Sequence, residues 1–185
     1  MKKIKFTFLF LISFLIISCG FHLRGNQDLS AVLPEMKIQG VNKHSDFGRE
    51  LYQALTAAKV NILDESNTVL MVKQNNVSKR VLSVDSAGRA NQYELNYALT
   101  FSLLEIVPGE SLKYGNTKQL EKFVDLVPAQ TINEKREYLF DANLVLAKAD
   151  EESRLISDMR QAAILQLVRR LSFSLKKSQS NLNTK

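Results

Sequence analysis

Tyr93-Glu94-Leu95-Asn96-Tyr97-Ala98-Leu99-Thr100-Phe101-Ser102-Leu103 is the stretch whose reading decides the fold. Large side chains alternate with small or polar ones without a break. At the two-residue period of a strand, Tyr93, Leu95, Tyr97, Leu99, Phe101 and Leu103 share one face. Every small or polar residue falls on the other face. Just before it, Ser86-Ala87-Gly88-Arg89 reads as a turn, and Thr68 to Val84 is strand-rich. The two long segments around the glycine turn form an antiparallel hairpin. Val69-Leu70-Met71-Val72 is apolar on both parities, so it should be covered on both faces or lie at a sheet centre.

The flanking segments supply the cover. Met36 to Gly40 alternates like a short strand. Ser45 can cap a helix whose Phe47, Leu51, Ala54, Leu55 and Ala58 fall on one side at 3.6-residue spacing, and Asn61 to Asp64 closes that unit. Pro108-Gly109 stops the central strand. Glu110 to Ala129 reads as a long connection with some strand character, Thr131 to Phe140 as a fourth strand, and Asp141 to Ala149 as a loop. Asp150 to Leu175 is a long helix with an apolar stripe of Ile156, Ala163, Ile164, Leu167, Leu171 and Leu175. Asp150, Glu151 and Glu152 in its first turn, and Arg169, Arg170, Lys176 and Lys177 near its end, complement the helix dipole. The predicted order is β-α-β-β-β-α. This is an α+β two-layer sandwich, two helices on one face of a four-stranded, mostly antiparallel sheet.

The amino-terminal region carries a different signal. Met1 to Lys5 is basic, and Phe6 to Ile17 is almost wholly apolar. About 12 apolar residues as helix reach roughly 18 Å, short of the ~30 Å hydrocarbon core. A basic start, a short apolar middle and a small residue before the break read as a secretory leader. Ile16-Ile17-Ser18-Cys19 resembles the lipobox of bacterial lipoproteins. That likeness implies cleavage after Ser18, a diacylglycerol on the Cys19 thiol and an acyl chain on the new amino group. Gly20, where an inner-membrane retention signal would place Asp, implies the periplasmic face of the outer membrane. The chain then divides into a leader at 1–18, a lipidated tether at 19–33, a sandwich domain at 34–175 and a disordered polar tail at 176–185.

Composition excludes several function classes. The chain has 185 residues, a formal charge of +6, one Cys, two His and no Trp. Without the leader lysines the charge falls to about +3, too little for a nucleic-acid binder. One thiol cannot form a disulfide within the chain. Two distant histidines and a lipidated cysteine cannot hold zinc. No paired-carboxylate signature or glycine-rich phosphate loop is present, so the reading is a non-enzymatic binding protein without a cofactor beyond its acyl chains.

Cys19-Gly20-Phe21-His22-Leu23-Arg24-Gly25 at the start of a mature lipoprotein resembles the lipopolysaccharide-assembly lipoprotein family, LptE. "NQYELNYALTFSLLE" is similar to that family's long central strand. "REYLFDANLVLAKADEE", followed by a helix containing "DMRQAAILQLVRRL", is similar to its carboxy-terminal half. The resemblance implies a partner, the outer-membrane β-barrel LptD, which the lipoprotein plugs and helps to assemble. It also implies contact with lipopolysaccharide (LPS) on its way to the cell surface. Phe21, His22 and Arg24 then contact the barrel or the membrane. LPS offers phosphates and acyl chains, so its binder should set Lys or Arg beside apolar surface. Lys79, Arg80 and Arg89 around the hairpin tip qualify, as does Lys148 after Leu144-Val145-Leu146. Leu146-Ala147-Lys148 matches the family's text, which makes Lys148 the leading candidate. Ser86 stands where some relatives carry a basic residue, and Arg89 takes that part. The rival reading is a periplasmic outer-membrane lipoprotein that carries a small ligand in a deep pocket between helices and sheet, or a structural envelope protein.

Overall fold

The alternating strand lies inside the sheet, flanked on both sides. The computed structural model describes residues 29–112 and 120–182. In it, β1 is Glu35–Gln39, α1 Asp46–Ala57, β2 Asn61–Ile62, β3 Thr68–Val84, β4 Ala90–Leu112, β5 Leu120–Leu139 and α2 Val145–Leu182. β4 pairs antiparallel with β3 and β5. Leu95, Tyr97, Leu99, Phe101 and Leu103 are buried beneath the helices, and Tyr93 packs at the margin of the same core. On the opposite face Thr100 bonds to Gln74 and Thr131 across the strands. The hairpin turns at Gly88, whose φ of +77° an L side chain rarely adopts.

The sheet has five strands rather than the expected four, in the order β2-β1-β3-β4-β5, and it is mixed. β1 runs parallel to both β2 and β3. The cause is α1, which carries the chain back to the start of β1, so that Asn61 N–H bonds to Pro34 O and Leu63 N–H to Met36 O. Two residues are too few to show a period, and β2 was invisible for that reason. The expected Ser45 cap is present, with Gly48 N–H donating to Oγ at 3.0 Å.

The third-to-fourth strand connection differs more. β4 continues to Leu112 and β5 begins at Leu120, well before Thr131. The alternation fails there because of a bulge: Pro128 and Ala129 on β5 oppose Ser102 alone, between the pairs Phe101–Gln130 and Leu103–Val127. Proline, which lacks an N–H, is tolerated because β5 is an edge strand.

α2 is 38 residues long and exceeds its expected bounds at both ends. Its buried stripe is Met159, Ala163, Ile164, Leu167, Val168, Leu171 and Leu175, close to expectation. Asp150, Glu151 and Glu152 do not occupy its first turn, which is Val145 to Lys148, and the basic residues do not occupy its last. The dipole argument therefore lapses. The segment assigned to a loop starts the helix after a turn tied by Asp141, whose Oδ1 accepts from Asn143 N–H at 2.8 Å. The tail assigned to disorder at 176–185 is helical to Leu182. At the other end, the tether stops short of Leu33: Leu29 and Leu33 are buried in the core, and Leu29 N–H bonds to Ala58 O. The leader, Cys19, Phe21, His22 and Arg24 lie outside the described residues.

Both helices pack on the same side of the sheet, where Arg160 of α2 donates two hydrogen bonds, of 3.0 and 2.7 Å, to Glu50 of α1. Side chains fill the space between helices and sheet. The open groove lined by Asp46, Glu152, Ser153, Ile156, Ser157 and Arg160 lies outside that space, between the two helices.

Candidate functional site

Topology gathers the four expected cations at one end of the sandwich. β5 ends at Leu139 beside Gln92, Phe140 N–H bonds to Asn91 O, and α2 starts its return path there. Lys79 and Arg80 on β3, Arg89 in the turn and Lys148 in the first turn of α2 therefore share the hairpin end.

Each of these cations already faces a carboxylate. Lys79 Nζ is 2.6 Å from Glu152 Oε2. Arg80 Nε lies 2.7 Å from Glu94 Oε1, and Arg89 Nε 2.8 Å from Asp85 Oδ2. Lys148 Nζ is 2.7 Å from Glu151 Oε2. Asp85 also accepts from the backbone N–H groups of Ala87 and Arg89, and so organises the whole turn. These hydrogen bonds, led by the Arg89 N–H, hold its carboxyl below the usual carboxylate range. The Arg80 hydrogen bond does the same for Glu94.

The best-built part of this end was not anticipated. Lys79 Nζ sits 4.2 Å above the centroid of the Tyr93 ring. Tyr93 stacks on Tyr138 at 5.7 Å and meets Phe140 edge-on at 5.5 Å. Tyr138 donates its hydroxyl to Glu152 Oε2 at 2.5 Å. One carboxylate on α2 thus ties β3 and β5 to the helix. Tyr93 and Tyr138 are directly paired across β4 and β5, a register that strand period alone does not give. Glu152 gave no signal either, because its partners are distant in sequence.

Burial pulls the Lys79 ammonium down, but Glu152 and Tyr138 outweigh it and leave it above its ordinary value. Burial pushes Glu152 up, but the Lys79 and Tyr138 hydrogen bonds outweigh it and hold the carboxyl below its ordinary value. The Glu152 contribution is therefore complete above the ordinary carboxylate pKa and is lost as pH falls through the lower folded value. The Lys79 contribution is complete below the ordinary lysine pKa and is lost as pH rises through the higher folded value. The latch is strongest between about pH 5 and about pH 10. Glu152→Ala is expected to lower unfolding free energy by about 1.5 kcal/mol at pH 7, a value kept modest by solvent screening. In urea denaturation the gap from the parent protein should close as pH falls below about 4. A gap that persists at low pH would mean that the carboxylate charge does not hold the latch.

The same end exposes Val81, Leu82, Val84, Leu139, Leu144, Val145 and Leu146, the last 84% accessible. Four ion pairs beside apolar side chains make an amphipathic surface on regular secondary structure.

Known proteins share this architecture. The solution structure of lipoprotein B from Nitrosomonas europaea superimposes with a TM-score of 0.58 and 25% identity, covering 83% of this chain and 90% of that one. The crystal structure of rare lipoprotein B from Shewanella oneidensis gives 0.56 at 24% identity, covering 80% and 98%; at that identity the likeness speaks for fold alone. The family model for lipopolysaccharide assembly, LptE, matches residues 33–171. This chain belongs to the LptE family. The LPS-assembly lipoprotein LptE of Pectobacterium atrosepticum is 25% identical over 176 residues, 92% of this chain and 86% of that protein. Its counterpart in Photorhabdus laumondii is 28% identical over 157 residues, 83% and 76%. The LptE match runs from the last residues before β1 well into α2, so the hairpin end with Lys79, Arg80, Arg89 and Lys148 falls within it.

Proposed function

We propose that this chain is an outer-membrane lipoprotein, fastened by acyl chains on Cys19, that plugs and helps assemble an LptD-type barrel and binds LPS for translocation. It acts by binding, without catalysis. The observation that carries this reading is the LptE match over residues 33–171. The geometry supports it in two ways. Among the described residues a buried cluster of apolar side chains lies between helices and sheet, which suits a plug that works through its outer surface better than a carrier. The hairpin end sets cations beside apolar side chains, the chemistry an anionic lipid needs.

Phosphates would compete with the carboxylates for those cations. Lys148 pairs with Glu151 through an i,i+3 contact, a kind typically worth about 0.2–0.5 kcal/mol on a helix, so a phosphate can displace it. Lys148→Glu is expected to weaken LPS binding at least about tenfold, the scale of one lost charge-assisted contact. Thermal stability should change by no more than about 0.5 kcal/mol. Unchanged affinity would remove Lys148 from the site. The wider reading is tested by purification in mild detergent. A stoichiometric β-barrel partner is expected, and an isolated monomer would count against it.

A further inference from the structure

The four ion pairs at the hairpin end are not alike. Lys148 and Glu151 share one helical turn, and Arg89 and Asp85 share one chain turn. Arg80 faces Glu94 in the β3–β4 register. Each of these pairs joins groups that the backbone already holds together. Lys79–Glu152 differs, because it ties a strand to α2 across 73 residues. The Lys79 ammonium and the Tyr138 hydroxyl both donate to one oxygen, Glu152 Oε2.

Glu152 holds down an arm with little else to hold it. From Val145 to Arg154, at the start of α2, every residue is exposed except Lys148 and Glu152. Lys148 pairs within the arm itself. Leu155 and Ile156 are the first side chains of the helix to pack against the core, and Met159 is the first to be fully buried. A segment with so few buried apolar contacts opens more readily than the rest of its helix. Behind the latch lies an aromatic ledge. Tyr138 is buried, Tyr93 stacks on it, and Phe140 meets Tyr93 edge-on. Lys79 Nζ stands over both tyrosines, 4.2 Å from the Tyr93 centroid and 5.5 Å from that of Tyr138.

We propose that the arm Val145–Arg154 is a strap over a concealed site for a phosphorylated lipid. A phosphate takes Lys79 from Glu152, the strap lifts, and an acyl chain lies on the Tyr93–Tyr138–Phe140 ledge. This deepens the LPS-binding reading above and rests on it. The phosphate oxygen replaces one charge-assisted bond with another, so the ammonium keeps an anionic partner throughout. Glu152 turns to water in the groove that it already lines with Ser153 and Arg160. The acyl chain covers rings that a lifted strap would otherwise leave in water. Free phosphate brings no such cover and leaves the strap closed.

Nitroxide labels on cysteines at Ala149 and Asn76, both exposed, read the strap against the sheet in full-length protein in mild detergent. Purified LPS is expected to lengthen the distance between them by about one helical turn, roughly 5 Å, or more. Inorganic phosphate and dephosphorylated LPS are expected to leave it unchanged. Glu152→Gln keeps an acceptor for Tyr138 but loses the charge that competes for Lys79. It should bind LPS roughly threefold to tenfold more tightly, and Lys79→Ala added to it should abolish the gain. Asp150→Asn, which removes a neighbouring charge outside the latch, should change affinity less than about twofold. LPS binding without lengthening overturns the strap and leaves the LPS reading standing. Lengthening by inorganic phosphate or by dephosphorylated LPS overturns the two-part site. Equal gains from Glu152→Gln and Asp150→Asn, or a gain that survives Lys79→Ala, overturn the competition for Lys79. Absence of LPS binding by the parent protein overturns the reading and this inference with it.

Discussion

Gly40→Ala is expected to lower unfolding free energy by about 4 kcal/mol, in the exceptional range for one substitution. Gly40 follows β1 with φ at +81°, and an added Cβ would stand 2.1 Å from Val72 O and 3.2 Å from Val72 C. A left-handed conformation alone costs an L residue roughly 1–2 kcal/mol. The remainder comes from the clash, which no side-chain rotation can relieve because the obstructing atoms are backbone. Val72 is itself held by its pairing with Phe101 on β4, so β3 cannot retreat. The β1–α1 connection must move instead, loosening the α1 face of the core at Phe47, Leu51 and Leu55. Denaturant unfolding measures the effect. A loss below about 1 kcal/mol would mean that the connection does not approach β3 this closely.

The second large effect concerns location. Replacing residues 1–19 with a secretory leader that is cleaved without lipidation is expected to move the protein from the membrane fraction to the soluble fraction when no barrel partner is present. Among the described residues no helix is long and apolar enough to cross a membrane, and the proposed acyl chains carry the attachment. Each buried methylene contributes about 0.8 kcal/mol; one chain binds marginally, whereas two or three hold essentially permanently. Fractionation and intact mass together decide the matter. Native protein with an unmodified, uncleaved amino terminus would remove the anchor.

Phe123 and Lys148 show why parts of the fold and site were harder to read than others. The central strand was plain because β4 itself carries no bulge from Tyr93 to Phe101; the irregularities in its pairing there lie on β3. Around Phe123 the register shifts, and Pro128 resembles a breaker although it only marks an edge-strand bulge. Lys148 reads as a loop residue because no residue with a strong capping side chain directly precedes Val145. The turn is tied from Asp141 instead, and the first turn of the helix is largely exposed, so no apolar stripe begins until later. The cations were recognisable as residue types; their carboxylate partners were not, since Glu94 and Glu152 lie 14 and 73 residues from Arg80 and Lys79.

Local chemistry in the sequence was enough to establish the strand hairpin, the two amphipathic helices and the Ser45 cap, because each depends on residues a few positions apart. The fifth strand, the parallel pairing of β1 and the Glu152 latch required tertiary structure. Those features arise from contacts between distant segments, and no periodicity within one segment records which other segment it will meet.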